Sequence, residues 1–223
     1  MFETLMSLPL FKGASAEQIS AFVEKTHLAF KTYNPGETIV SGKDSCRTLR
    51  CLISGEMQVA HPLFSDNIMV HETAPAGRFI GAERLFGLDN HLRFKARALT
   101  RCGTMELPKS QYMTLLQTNQ IFLMNCLNYL ARSAQKGCGV LVDADAGSLA
   151  SLIAHMVNVT TTHDSRDISV ESVNRPVKEF FANILCDAER QFAALESDGI
   201  ISMANDRQLL VPSIERLMEL VEK

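Results

Sequence analysis

The chain has 223 residues, a formal net charge of −3, 46% hydrophobic and 21% charged residues. This balance suits one large or two ordinary folded domains, and it excludes bulk disorder and a polycation that coats nucleic acid without selectivity. Apolar runs break within a few residues, so no transmembrane helix is expected, and the opening MFETLMSLPLFKG has neither a basic start nor a long apolar stretch, so no secretory leader is expected.

In chain order, Ala16–His27 reads as a short helix with Ser15 as its N-cap. From about residue 30 to 108 the pattern is β. Short apolar stretches recur at Thr38–Val40, Leu49–Ile53, Met57–Ala60, Ile68–His71, Ala96–Leu99 and Thr104–Leu107. Turn residues separate them, among them Asn34-Pro35-Gly36, Ser54-Gly55 and Pro75-Ala76-Gly77. Many short strands at this spacing predict a sandwich or barrel. From Ser110 the period becomes helical, with Leu123, Leu127, Leu130, Ala134 and Leu141 mostly on one face of a long helix. Gly137 and Gly139 interrupt it, and Asp143–Gly147 reads as a hinge.

A smaller unit follows. Leu149–Val159 reads as a helix and Asp167–Val170 as a strand. Asn174 is placed to cap a helix through Pro176, Val177, Phe180 and Phe181. After a break at Ala182-Asn183, Leu185–Leu195 is a second helix, ended by Asp198-Gly199. Ile200–Met203 and Gln208–Val211 are short strands, and Ile214–Lys223 is an amphipathic helix. Phe180, Phe181, Phe192, Leu195, Ile200 and Ile201 are its expected core.

Three segments together carry a family resemblance. They are Asn34-Pro35-Gly36-Glu37 followed by Leu52–Val59, then Gly77-Arg78-Phe79-Ile80-Gly81 with Arg97–Cys102, and finally Val177–Ile201, which ends Leu195-Glu196-Ser197-Asp198-Gly199-Ile200-Ile201. In this order the chain resembles the cAMP-receptor/fumarate-nitrate-reductase (CRP/FNR) family of bacterial transcription regulators. The resemblance implies an α+β chain in three parts. Residues 1–110 would form a cyclic-nucleotide-binding-like antiparallel β-sandwich of jelly-roll type. Residues 111–146 would supply a long dimerisation helix and hinge, and residues 147–223 a winged helix-turn-helix. It further implies a cytoplasmic homodimer, a small-molecule effector and double-stranded DNA as partners, and no membrane. Two-fold symmetry would then match palindromic half-sites about one DNA turn apart.

The resemblance also argues against cAMP as the effector. The family's ribose-binding Glu, phosphate-binding Arg and following Ser or Thr fall on Ala82, Leu92 and Arg93, so all three groups are missing. Glu83 and Arg93 would stand in only through a one-residue slip, which turns every strand side chain to the other face. The adenine-reading Thr-Ser pair falls on Gly137 and Cys138. The effector pocket is therefore expected near Gly81, Ala82, Glu83, Arg84, Leu92 and Arg93, closed by Met124, Leu127 and Asn128. Arg84, Arg93, Lys95 and Arg97 would suit a small anion if they faced the pocket; alternating on a strand, they read first as solvated.

Six cysteines, Cys46, Cys51, Cys102, Cys126, Cys138 and Cys186, form no CxxC pair. That spacing fits reduced thiols and argues against an iron–sulfur cluster. Haem stays a weak alternative, with His27, His61, His71, His91, Cys51 and Cys102 as axial ligands by residue type alone. His155 and His163 lack the partners of a zinc site, so no metal is expected. No nucleophile–base set or phosphate loop stands at useful spacing, so no enzyme is expected.

In the rear module, the base-reading positions of the cAMP receptor fall on Leu185, Cys186 and Arg190. Arg190 is the one that can read a guanine edge. Asp187 and Gln191 lie beside it, Asn183 is expected in the left-handed turn position, and Arg175 and Lys178 are expected on phosphates. From residue 147 onward there are 7 Lys+Arg against 12 Asp+Glu, a net of −5. Phosphate binding wants the opposite sign. The alternative reading is therefore a sensor or interaction protein of this fold that has lost strong DNA binding.

Overall fold

The computed structural model describes residues 6, 8–65, 67–143, 148–162 and 164–221, with 137–143 described as helix only. The chain divides into two compact units that are not contiguous in sequence. The first is Met1–Gln58 with Ala74–Ser133, and the second is Val59–Thr73 with Ala134–Lys223.

In the first unit, α1 (Ala16–Lys25) starts as expected. Ser15 accepts from the Gln18 N–H while the Gln18 side chain accepts from the Ser15 N–H, a reciprocal capping box. A four-stranded antiparallel sheet runs in the order β1 (Ala29–Tyr33), β8 (Cys102–Pro108), β3 (Thr48–Ser54), β6 (Arg78–Phe79). Strands β2 (Thr38–Val40) and β7 (Lys95–Ala98) pair with each other. Inward positions alternate along β7, where Ala96 and Ala98 are buried between exposed Lys95 and Arg97. The turn at Gly55 is tight. Its φ is +82°, and a Cβ there would lie 2.4 Å from the Arg101 carbonyl oxygen, so only glycine fits. Two helices follow, α2 (Lys109–Thr118) and α3 (Gln120–Asp143). Phe11, Phe22 and Phe122 stack edge-on or tilted, which seats the start of α3 on this unit.

Gly137 and Gly139 do not end the long helix, which continues to Asp143. The residues after it, 144–147, where the hinge was expected, lie outside the described residues.

The second unit is built on α4 (Leu149–Thr160), whose Ser148 cap accepts from Ser151 N–H. Strand β9 (Arg166–Ser172) follows, then α5 (Val177–Ala182), α6 (Ala188–Ser197), β10 (Ser202–Met203), β11 (Gln208–Val211) and α7 (Ile214–Val221). Its sheet takes strands from both ends of the chain. β10 pairs β11 and β11 pairs β9. The other edge of β9 pairs β5 (Ile68–Pro75), the second strand of the hairpin it forms with β4 (Glu56–Leu63). Ile68 and Val70 are fully buried in one cluster with Leu149, Ile153, Val157, Phe181, Phe192 and Leu209. The expected core residues Phe180, Phe181, Phe192, Leu195, Ile200 and Ile201 all belong to it.

Two local expectations are corrected. Asn174 does not cap α5: Pro176 stands at the N-cap, and the Asn174 amide donates to Asn67 instead. Asn183 is not in the left-handed region, with φ −76°; that conformation falls on Asp187, φ +56°, at the start of α6. Asn183 instead donates its side-chain amide to the Glu179 carbonyl, an i−4 bond that suits a right-handed residue. As a result α6 begins at Ala188, three residues later than the apolar pattern suggested.

Candidate functional site

In the first unit, Gly81 opens the segment where a nucleotide cassette would lie. It takes φ +68°, and a Cβ built on it would sit 2.2 Å from Cδ2 of Leu92. The buried leucine thus fills the space against the Gly81 backbone. Ala82 next to it is also buried and offers no polar group. In the short helical turn Ala82–Arg84 that follows, Glu83 is exposed and Arg84 partly exposed. Glu83 accepts from the Tyr129 hydroxyl at 3.4 Å. Burial first, then the Glu83 carboxylate, pushes the Tyr129 hydroxyl pKa well up, so it stays a donor.

The basic residues of the segment gather on an internal anion. Asp89 meets Arg93 at 2.8 Å, the His91 ring at 3.2 Å and Arg84 at 3.6 Å. The His91 backbone N–H and ring, then Arg93, hold the Asp89 carboxyl down at about 2. Lys95 and Arg97 are exposed on alternate positions of β7.

The long helix turns Asn125, Cys126, Tyr129 and Leu130 toward the sandwich. With Leu10, Phe79, Ala82, Phe86 and Tyr112 they line a cavity of about 10 Å³, room for roughly one water. Tyr129 packs edge-on against Phe79 at 5.2 Å. Asn125 donates to the carbonyls of Leu10 and Lys12. Met124, Leu127 and Asn128 lie on the opposite, exposed face, Met124 at 52% and Leu127 at 49%. The structure therefore brings Gly81, Ala82 and Leu92 together and sets Arg84 and Arg93 on the surface. The cavity-facing positions Asn125, Cys126 and Tyr129 each stand one residue from those expected, a phase difference that a 3.6-residue period does not fix without the packing partner. The surroundings of Gly137 and the side chain of Cys138 lie outside what is described.

Residues singled out as metal ligands by type have other partners. His61 sits 3.0 Å from Glu72 and His71 2.8 Å from Glu171. Cys51 is fully buried, and burial raises its thiol pKa strongly. Among the described residues no three His, Cys, Asp or Glu gather as a metal site, and no helix is long and apolar enough to cross a membrane. His163 lies outside the described residues.

In the second unit, α6 buries Ala188, Phe192 and Leu195 and exposes Glu189, Arg190, Ala193, Ala194 and Ser197. Arg190 therefore stands on the outer face, beside Glu189. Leu185 is buried rather than exposed, and Cys186 and Asp187 are exposed ahead of the helix. Gln191 is engaged inside: its carbonyl oxygen accepts from Leu149 N–H at 2.6 Å and its amide donates to the Cys186 carbonyl. Lys178 pairs with Glu196 at 3.2 Å and lies over the Phe192 ring. Arg175 lies over Phe180.

Comparison with known proteins matches residues 30–119 to the cyclic nucleotide-binding domain family. No curated protein matches the sequence. Among solved structures, the catabolite activator protein of Thermus thermophilus is 16% identical, with 95% of this chain and 97% of that one covered at a TM-score of 0.52. The sensor domain of the transcriptional regulator DNR from Pseudomonas aeruginosa is 17% identical over 59% of this chain and 91% of its own, at a TM-score of 0.45. A transcriptional regulator from Thermotoga maritima is 13% identical over 52% and 89%, at 0.45. The first of these spans both units, so the fold is shared over nearly the whole length.

Proposed function

We propose, from the premise of a CRP/FNR-like chain with a cyclic nucleotide-binding domain at residues 30–119, that this protein is a dimeric, effector-responsive transcription regulator whose effector is not cAMP. The observation that carries the reading is the pairing of a whole-length activator-type fold with an Arg190 that stands free on the outer face of α6. In this reading α5 and α6 are a helix-turn-helix and α6 enters the major groove, where a guanidinium can bond two acceptors of one guanine. The β10–β11 hairpin is its wing.

Several features support a changed effector. Leu92 occupies the cassette floor, Arg84 and Arg93 are satisfied by Asp89, and a 10 Å³ cavity takes no organic molecule until its walls move. The uncovered apolar residues Leu123, Met124 and Leu127 along α3 support a second copy as its mate, since such stripes mark interfaces. The function is regulation rather than catalysis.

Titration of fluorescent duplex from the chain's own upstream DNA, at several salt concentrations, tests the reading. Binding should weaken steeply with salt, and Arg190→Ala should cost about 1–3 kcal/mol and relax selectivity at one base pair. Unchanged binding by Arg190→Ala overturns the assigned helix. A second reading, a head that docks protein rather than DNA, is favoured by one observation: Gln191 and Lys178 are already engaged, which leaves Glu189 and Asp187 flanking Arg190. Salt-independent failure to bind any duplex would select it.

A further inference from the structure

The second unit is incomplete without residues that lie in the front half of the sequence. Strand β5 pairs with β9 through Ile68↔Ser172, Met69↔Glu171, Val70↔Val170 and His71↔Ser169, and after a bulge through Thr73↔Arg166. Without it, β9 would be an edge strand beside β11, with an open row of backbone donors and acceptors. Ile68 and Val70 would leave the core shared with Phe181 and Phe192, the residues that seat α5 and α6.

Polar groups fix the seam as well. Glu72 is 1% exposed, and its carboxylate meets His61 on one oxygen at 3.0 Å and accepts from the Ser165 hydroxyl on the other. His71 meets Glu171 diagonally across the ladder at 2.8 Å. Buried and half-buried polar pairs of this kind specify one register where an apolar seam would slide.

The far end of the hairpin reaches the entry to α5. Val173 N–H donates to the Asn67 carbonyl at 3.0 Å, and the Asn174 amide donates to the Asn67 side chain. The Phe64 ring stands edge-on to Phe180 at 5.7 Å. Phe64 and Ser65 hold φ of +50° and +55°, a conformation non-glycine residues adopt only when their surroundings impose it. Residues 173–176 lead straight into Val177, whose N–H donates to Asp206. The segment before α5 is thus held by the hairpin on one side and by the β10–β11 turn on the other.

We infer that the hairpin Val59–Thr73 is a control element of the α5–α6 pair: seated on β9, it fixes the start of α5, and unseated, it releases that helix. The same two strands continue as Glu56–Gln58 and Ala74–Pro75 in the first unit, so a change there has a covalent route to the helix pair. The inference concerns the order of α5–α6 and does not rest on what that pair binds.

Amide hydrogen exchange on the full chain tests it. Phe64→Ala removes the tip contact, and Glu171→Ala removes the partner of His71; both positions are partly exposed, so neither opens a core cavity. In the double variant, amides of Val177–Ala182 and of β9 should exchange about tenfold faster, while β3 and β8 keep their protection. Unchanged rates in Val177–Ala182 overturn the inference. So does an equal acceleration in β3 and β8, which would mean general destabilisation rather than local control. The readout needs no DNA, so a failure of the DNA-binding reading and a failure of this one are told apart.

Discussion

Exchanging Gly81 for alanine probes how completely Leu92 fills the cassette. The new Cβ meets two costs. A non-glycine residue at φ +68° costs roughly 1–2 kcal/mol. A methyl 2.2 Å from Leu92 Cδ2 forces a packed core apart, which costs about 1–3 kcal/mol. Gly81→Ala should therefore destabilise the first unit by about 3 kcal/mol. Leu92→Ala alone removes a side chain that is 3% exposed and should also cost about 3 kcal/mol, within the range of about 2–5 for buried leucines. In the double variant the clash is gone and only the backbone cost and the cavity remain, so the total should be about 4 kcal/mol rather than 6. The coupling of about 2 kcal/mol is the quantity to measure, by urea unfolding of the full chain read through amide exchange of β3 and β8. The chain has no Trp, and exchange reports the first unit separately. Additivity within about 0.5 kcal/mol would refute the claim that Leu92 occupies the space over Gly81.

Other expectations follow from single residues. Ile68→Ala should destabilise the second unit, not the first, by about 2–5 kcal/mol, as read by loss of protection in α4 and β11. Leu127→Asp, on the uncovered face of α3, should convert a dimer to a monomer in sedimentation velocity without loss of helical signal. Cys186 should react with a thiol reagent before Cys46, Cys51 and Cys102, whose thiols burial holds above the ordinary range; peptide mass spectrometry reads the order. For those three, the folded state keeps its proton to higher pH than the unfolded state. Their contribution is therefore constant below about pH 8.5 and is lost as pH rises past it, which a urea series from pH 7 to 10 would follow.

The sequence made the order of elements legible because local signals carried it. Ser15 with Gln18, the alternation in Lys95–Ala98 and the run Gln208–Val211 each satisfy a rule that needs no distant partner. Strand β1 gives no such signal: four of its five residues are exposed, so its apolar pattern does not mark a buried face. The pairing of β5 with β9 was hidden for another reason. Ile68–His71 reads equally well as a strand of any sheet, and nothing local names a partner about a hundred residues away. At the cassette, that Ala82 and Leu92 carry no polar side-chain group was readable from residue types. That Arg84 and Arg93 turn to Asp89 was not, because rotamer and turn geometry decide which of several nearby charges meet. At the helix pair, exposure of Arg190 followed from its spacing to Phe192 and Leu195, whereas the inward role of Gln191 depends on the start of α4 lying beside it.

The two-ended sheet of the second unit also sets a timetable for making the protein. His71 and Glu171 are 100 residues apart, so at about 5–20 residues per second a ribosome finishes the hairpin roughly 5–20 s before its neighbouring strand emerges. During that interval Ile68 and Val70 have no core to enter, and the nascent chain carries a sticky, unpaired ribbon. Translation speed and holdase chaperones acting on residues 59–73 are therefore the natural levers on its yield.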